Sequence, residues 1–127
     1  FWHLIIKAGF KTATKDIYEA FDGMPKCLTP HRESDKIRVP SKLRMDYAMA
    51  ESMLHNDLEI AVSLKKGVIG RISKSLAQLL DKKFIVSGSG PSLFCLYRTR
   101  REAIKARDTV LRNVSARSKT PWQIFVA

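Results

Sequence analysis

Two short apolar runs, Phe84-Ile85-Val86 and Leu93-Phe94-Cys95-Leu96-Tyr97, flank the stretch Ser87-Gly88-Ser89-Gly90-Pro91. Both runs are rich in branched and aromatic residues, and five turn-forming residues between them predict a β-hairpin. Strands joined by so short a turn run antiparallel, and that single inference removes the parallel α/β folds from consideration. The rest of the chain supplies partners for the hairpin. Trp2 to Ala8 reads as a mostly buried strand stopped by Gly9, and Trp122 to Val126 as a closing one.

Helical patterns fill the space between. Thr14 is placed as an N-cap, with Asp16 in the first turn and Ile17, Ala20 and Phe21 on one face. Asp22 to Pro40, holding Gly23, Pro25, Pro30 and Pro40, reads as an irregular connection. Ser41 is placed as a second N-cap, followed by the stripe Leu43, Tyr47, Ala50 and Leu54. Leu58, Ala61, Leu64 and Val68 continue the helical spacing, but Lys65-Lys66-Gly67 and Gly70 weaken helix. Two helices are therefore expected, the second carrying Ile72, Leu76 and Leu79. Ala103, Ala106, Val110 and Val114 form the buried stripe of one more. The order is strand, helices, strand, strand, helix, strand: an α+β domain with about four antiparallel strands and helices on one face.

At 127 residues one domain with a sizeable core is expected, and 45% hydrophobic with 28% charged residues excludes disorder. No apolar run approaches the ~20 residues that span a bilayer, so no membrane span is expected. Cys27 and Cys95 stand apart, without a second set at ligand spacing. Neither a disulfide scaffold nor a metal site is expected, and free thiols fit a reducing, cytoplasmic compartment. The chain begins at Phe1, inside a strand, which suggests a piece of a longer protein.

The net charge of +11 points towards phosphate-bearing partners. Arg98, Arg100, Arg101, Lys105, Arg107, Arg112, Arg117 and Lys119 oppose only Glu102 and Asp108 in one segment. A solvated helix face is the simplest reading; a stand-alone RNA-binding module, with stacking from Trp122 or Tyr97, is the alternative.

Chemistry-bearing residues are few. In Ser87-Gly88-Ser89-Gly90-Pro91-Ser92 the glycines permit unusual backbone angles and close approach, and N–H and hydroxyl groups could donate to phosphate oxygens. A plain turn explains the same residues. The stretch lacks the Gly-Lys-Ser/Thr ending of a P-loop and is followed by a strand. In His55-Asn56-Asp57-Leu58-Glu59, Asn56 or Asp57 is expected to cap the next helix, though an acidic residue there could also orient a base or hold Mg²⁺. His3, His31 and His55 are scattered, and Cys95 reads as a buried, inert thiol.

Taken together, Asn56-Asp57-Leu58-Glu59 and, about 27 residues on, Val86-Ser87-Gly88-Ser89-Gly90-Pro91-Ser92-Leu93-Phe94 resemble the C-terminal half of the GHMP kinases. Thr12-Ala13-Thr14 and the helix with Tyr18 and Ala20 extend the resemblance over most of residues 1–127. It implies a ferredoxin-like α+β sandwich forming the C-terminal lobe of an ATP- and Mg²⁺-dependent kinase that phosphorylates a small-molecule alcohol. It also implies that Gly88, Ser89, Gly90, Pro91 and Ser92 lie near the nucleotide phosphates, with Asn56 and Asp57 supporting that loop and Thr12 and Thr14 on the substrate side. Catalytic residues are expected in an N-terminal lobe, which these residues do not contain, so the chain alone is expected to be inactive. Ala8 to Thr14 and Lys65-Lys66-Gly67 depart from the family's usual pattern.

Overall fold

The computed structural model describes residues 1–25, 45–114 and 122–127. Cys27, Pro30, His31, Pro40, Ser41, Leu43, Arg117 and Lys119 lie outside them. The elements are β1 (Trp2–Lys7), α1 (Thr14–Asp22), α2 (Tyr47–Ser52), α3 (Glu59–Lys65), α4 (Gly67–Leu80), β2 (Ile85–Ser87), β3 (Ser92–Tyr97), α5 (Arg100–Val114) and β4 (Gln123–Val126).

The strands form one sheet in the order β2-β3-β1-β4, with every neighbouring pair antiparallel. Opposed residues share a face, so the register Leu4↔Cys95, Ile6↔Leu93, Leu4↔Val126 and Ile6↔Ile124 gathers alternate apolar residues of three strands on one side. Helices α1, α3, α4 and α5 close over that side. Their Ile17, Val62, Ile69, Leu76, Ala103 and Val110 enter the same core as Leu4, Ile6 and Leu93, all at most 2% exposed. Each large side chain of that set contributes about 1.5–3 kcal/mol by leaving water. The four-stranded α+β domain expected from the hairpin is what forms.

Short α2 is an addition to that layer scheme. Its Tyr47 and Ala50 pack with Leu96, which alternates with the core-facing Cys95 and Tyr97 and so lies on the reverse side of the sheet. The Tyr47 hydroxyl lies 2.8 Å from the Leu96 carbonyl and 2.9 Å from Glu51 Oε1. Lys82 Nζ donates to that hydroxyl at 2.6 Å and to Glu51 at 2.8 Å. The Arg98 guanidinium stands 4.6 Å from the Tyr47 ring centroid.

Several local expectations change. α1 is preceded by Ala13 at its N-cap, with no side-chain cap, and Thr14 is its first residue; the Thr14 hydroxyl has a tertiary partner instead. The cap of α2 is Asp46, whose carboxylate accepts from Met49 N–H at 2.8 Å. The break between α3 and α4 falls at Lys66, where φ −133° and ψ 72° leave the helical region, as the weak helix formers there suggest. Leu64 and Leu79, expected in the core stripe, are 66% and 37% exposed. The stripe of α3 is Ala61 and Val62, and at 3.6 residues per turn Leu64 falls off the face that this pair defines. The hairpin is also tighter than expected, since Ser87 pairs with Ser92 and four residues remain between them.

Candidate functional site

The glycine-rich turn is held from both sides by residues distant in sequence. Gly88 and Gly90 take φ +59° and +74°, the left-handed region that residues with a Cβ resist. The Gly90 N–H closes the turn on the Ser87 carbonyl at 3.1 Å. On the β1–α1 side, Ala8 N–H donates to the Pro91 carbonyl at 3.3 Å and the Thr12 hydroxyl to the Gly90 carbonyl at 2.9 Å. The Thr14 and Ser89 hydroxyl oxygens are 3.0 Å apart. On the α3 side, Asn56 Nδ2 donates to the Val86 carbonyl at 2.6 Å and to the Gly88 carbonyl at 2.8 Å, while Asn56 Oδ1 accepts from Leu58 N–H at 3.0 Å.

Gly90 has a second reason to lack a side chain. A Cβ there would stand 3.3 Å from Val62 Cγ1, 3.5 Å from Ile69 Cδ1 and 3.7 Å from Thr12 Cγ2, so the loop sits directly on α3 and α4. At Gly88 a Cβ would meet open space. The loop is thus packed tightly at Gly90 and open where a side chain at Gly88 would stand.

This clamping orients the peptide groups. In a trans peptide the carbonyl and the next residue's N–H point in opposite directions. With the Ser87 carbonyl turned to Gly90 and the Gly88 carbonyl turned to Asn56, the N–H groups of Gly88 and Ser89 are directed away from those partners. Adjacent N–H groups with their carbonyls engaged elsewhere form the kind of concavity that accepts anions.

The other named residues fall as follows. Asn56, expected as a helix cap or loop support, forms an Asx-type turn onto Leu58 and holds the loop. Asp57 turns to the His55 ring, with which it is hydrogen-bonded. His55, Asp57, Glu59 and Ser63 line a cleft of about 470 Å³ beside Asn56. Glu59 and Ser63 also line a second cleft of about 280 Å³, together with Lys74 and Lys83. Burial raises the Glu59 carboxyl above its ordinary range, opposed by the charges of Lys83 and His55. Thr12 and Thr14 direct their hydroxyls at the loop itself. Among the described residues no group of three or more His, Cys, Asp or Glu could hold a metal ion.

Sequence reasoning missed Ala8, Val62 and Ile69, which shape the loop through backbone and packing. No local signal marks them, because their partners lie 20 or more residues away. Cys95 is fully buried, and desolvation pushes its thiol up to about 12. In the basic segment, Arg98 and Arg100 stack over Tyr47 and Trp2, Arg107 pairs with Asp108, and Arg101, Lys105 and Arg112 are exposed. Tyr97 is 8% exposed and so does not present the free ring face that stacking on RNA requires, and Trp122 is half-buried with its side chain packed against the core. No described helix is long and apolar enough to cross a membrane.

No family model matches the sequence. The chain is 29% identical over 126 residues to the 4-diphosphocytidyl-2-C-methyl-D-erythritol kinase of Syntrophotalea carbinolica, covering 98% of this chain and 39% of that protein. It is 30% identical over 110 residues to the kinase of the same name from Syntrophus aciditrophicus, covering 87% of this chain and 37% of that protein. With the same-named kinase of Thermoanaerobacter pseudethanolicus the identity is 28% over 94 residues, 74% of this chain and 32% of that protein. The chain therefore spans between 32% and 39% of the length of these relatives. Among solved structures, homoserine kinase from Cytophaga hutchinsonii superposes with a TM-score of 0.61 at 17% identity, over 99% of this chain and 41% of that one. A 4-(cytidine 5'-diphospho)-2C-methyl-D-erythritol kinase gives 0.60 at 17% identity, over 98% and 42%. The chain is thus similar in sequence to 4-diphosphocytidyl-2-C-methyl-D-erythritol kinases and in fold to the C-terminal GHMP kinase domain.

Proposed function

We propose that the chain is the C-terminal lobe of an ATP-dependent small-molecule kinase, and that Gly88, Ser89, Gly90, Pro91 and Ser92 border the nucleotide phosphates. The observation that carries this reading is the loop clamped by Thr12, Ala8 and Asn56, whose engaged carbonyls turn the Gly88 and Ser89 N–H groups away from those partners. Phosphoryl transfer develops charge on the transferred group's oxygens, and fixed donors aimed at that charge stabilise it without reorganising. The chain's own part is to supply such donors. Asn56 and Thr12 hold them, Thr14 fixes the Ser89 hydroxyl, and Asp57 supports the loop only indirectly, through the turn it shares with Asn56. Thr12 and Thr14 serve the loop in this reading rather than the acceptor directly.

The names of the sequence relatives support 4-diphosphocytidyl-2-C-methyl-D-erythritol as the alcohol acceptor. In this proposal the reaction belongs to cytoplasmic non-mevalonate isoprenoid biosynthesis. Mg²⁺ accompanies the nucleotide and offsets its charge. An N-terminal lobe supplies the remaining phosphate contacts and the groups that act on the hydroxyl. Positioning two reactants is worth about 7–11 kcal/mol of a barrier. One wall of a cleft does not provide it, so residues 1–127 alone have no kinase activity in this proposal.

The test is an amide-shift titration with Mg-ATP and, separately, with a short single-stranded RNA. Shifts centred on Gly88 to Ser92 with Mg-ATP are expected. Shifts along Arg101, Lys105 and Arg112 with RNA, lost in high salt and without any Mg-ATP response, overturn the kinase reading in favour of a basic binding module.

A further inference from the structure

We propose that Asn56 is a positioning residue that sets the anion affinity of the glycine-rich loop by holding the Val86 and Gly88 carbonyls away from the bound phosphate. The proposal rests on the phosphate role assigned to that loop.

Asn56 is the one described side chain that reaches the loop from the α3 side through two bonds of a single amino group, at 2.6 and 2.8 Å. Its carbonyl is spent on Leu58 N–H at 3.0 Å, which fixes the orientation of the amide: nitrogen to the loop, oxygen to the helix start. Three of its four hydrogen-bonding capacities, both donors among them, have a partner, and the side chain spans 30 and 32 residues of sequence to reach the loop. A carbonyl freed from Asn56 can turn with its peptide. Rotating the Gly88 carbonyl outward turns the Ser89 N–H inward and replaces a donor at the phosphate surface with a partial negative charge. Removing the donor therefore acts on ligand affinity through the loop, although Asn56 itself does not touch the phosphate.

An aspartate in its place separates this role from mere packing. Asn56→Asp keeps the shape, but a carboxylate would face two carbonyl oxygens. When protonated it recovers one donor. The groups near it that also titrate or carry charge are His55, Asp57 and Glu59 on the same segment, with Lys83, just before β2, and Lys74 of α4 lining the adjoining cleft beside Glu59. The native chain measured at each pH accounts for all of them.

The experiment follows the Gly88, Ser89 and Gly90 amides of the native chain, Asn56→Asp and Asn56→Ala at pH 7.5 and 4.5, with and without Mg-ATP. The expected result is displaced loop amides in both variants at pH 7.5 and Mg-ATP affinity reduced at least fivefold. At pH 4.5 the aspartate variant, but not the alanine variant, returns to within twofold of the native chain. Equal affinities in all three chains overturn the proposal, as does a loss in Asn56→Asp of the same size at both pH values, because that marks a packing defect. If the native chain itself does not respond to Mg-ATP, the phosphate reading of the loop fails. The positioning of the loop by Asn56 is then judged on the unliganded amides alone, where unchanged shifts in both variants overturn it.

Discussion

The Thr12 hydroxyl donates to the Gly90 carbonyl at 2.9 Å across 78 residues of sequence, tying the segment after β1 to the turn between β2 and β3. The Thr12 methyl also faces Gly90, 3.7 Å from where a Cβ would stand. Thr12→Val keeps the shape and deletes only the donor. It leaves a part-buried carbonyl unpaired and is expected to cost about 1 kcal/mol. Urea unfolding followed by far-UV circular dichroism measures it, and a midpoint equal to the native one refutes the contribution.

The two loop glycines separate backbone strain from crowding. Gly88→Ala meets open space at φ +59° and is expected to cost about 1–2 kcal/mol from the left-handed conformation alone. Gly90→Ala adds a 3.3 Å approach to Val62 Cγ1, and overpacking of this kind raises the total to about 2–4 kcal/mol. Equal losses in the two variants, by thermal or urea unfolding, exclude the crowding at Gly90.

The Tyr47, Glu51 and Lys82 cluster makes stability depend on pH at both ends. The hydrogen bond from Lys82, then that from Tyr47, hold the Glu51 carboxyl below its ordinary value of 4.5. The native state thus prefers the charged carboxylate, and the stabilisation present above pH 4.5 fades as the pH falls through the folded value. For Lys82, burial works to lower the ammonium pKa, but the bonds to Glu51 and Tyr47 outweigh it and raise the group above 10.5. That contribution is full below pH 10.5 and fades as the pH rises through the folded value. Lys82→Met is expected to move the Glu51 carboxyl back up, read from its side-chain carbon shift against pH. An unmoved titration disproves the coupling.

Cys95 is expected to resist alkylation. With its thiol pushed up to about 12 by burial and no exposed surface, it holds almost no thiolate at pH 8. Iodoacetamide treatment of the folded chain followed by peptide mapping should leave Cys95 unmodified, and denaturant should expose it. Rapid labelling without denaturant contradicts this burial.

What could be read from the sequence follows from local rules. The hairpin, the four strands, the break at Lys66 and the stripe Ala103, Ala106 and Val110 each depend on residues within about one turn or one pleat of each other. The start of α5 has such a signal as well. Thr99 and Glu102 form a reciprocal capping box, with Thr99 N–H to Glu102 Oε2 at 3.0 Å and Glu102 N–H to the Thr99 hydroxyl at 3.2 Å. Thr14 illustrates the opposite case. Its type and place suit a cap, yet a partner 75 residues away, Ser89, takes its hydroxyl. Leu64 shows the same limit: its spacing from Leu58 and Ala61 suits a stripe, yet α3 turns Ala61 and Val62 inward and leaves Leu64 66% exposed.

By itself the sequence determined the α+β class, the antiparallel hairpin and the glycines at 88 and 90, since propensity, apolar periodicity and turn chemistry act over a few residues. Only the tertiary structure decided that β1 lies between β3 and β4, that α2 crosses to the reverse face, and that Thr12 and Asn56 grip the same loop from opposite sides. Those arrangements come from burying one continuous apolar face and pairing the backbone polar groups around it. Both conditions apply to the folded chain as a whole, and no window of sequence contains them.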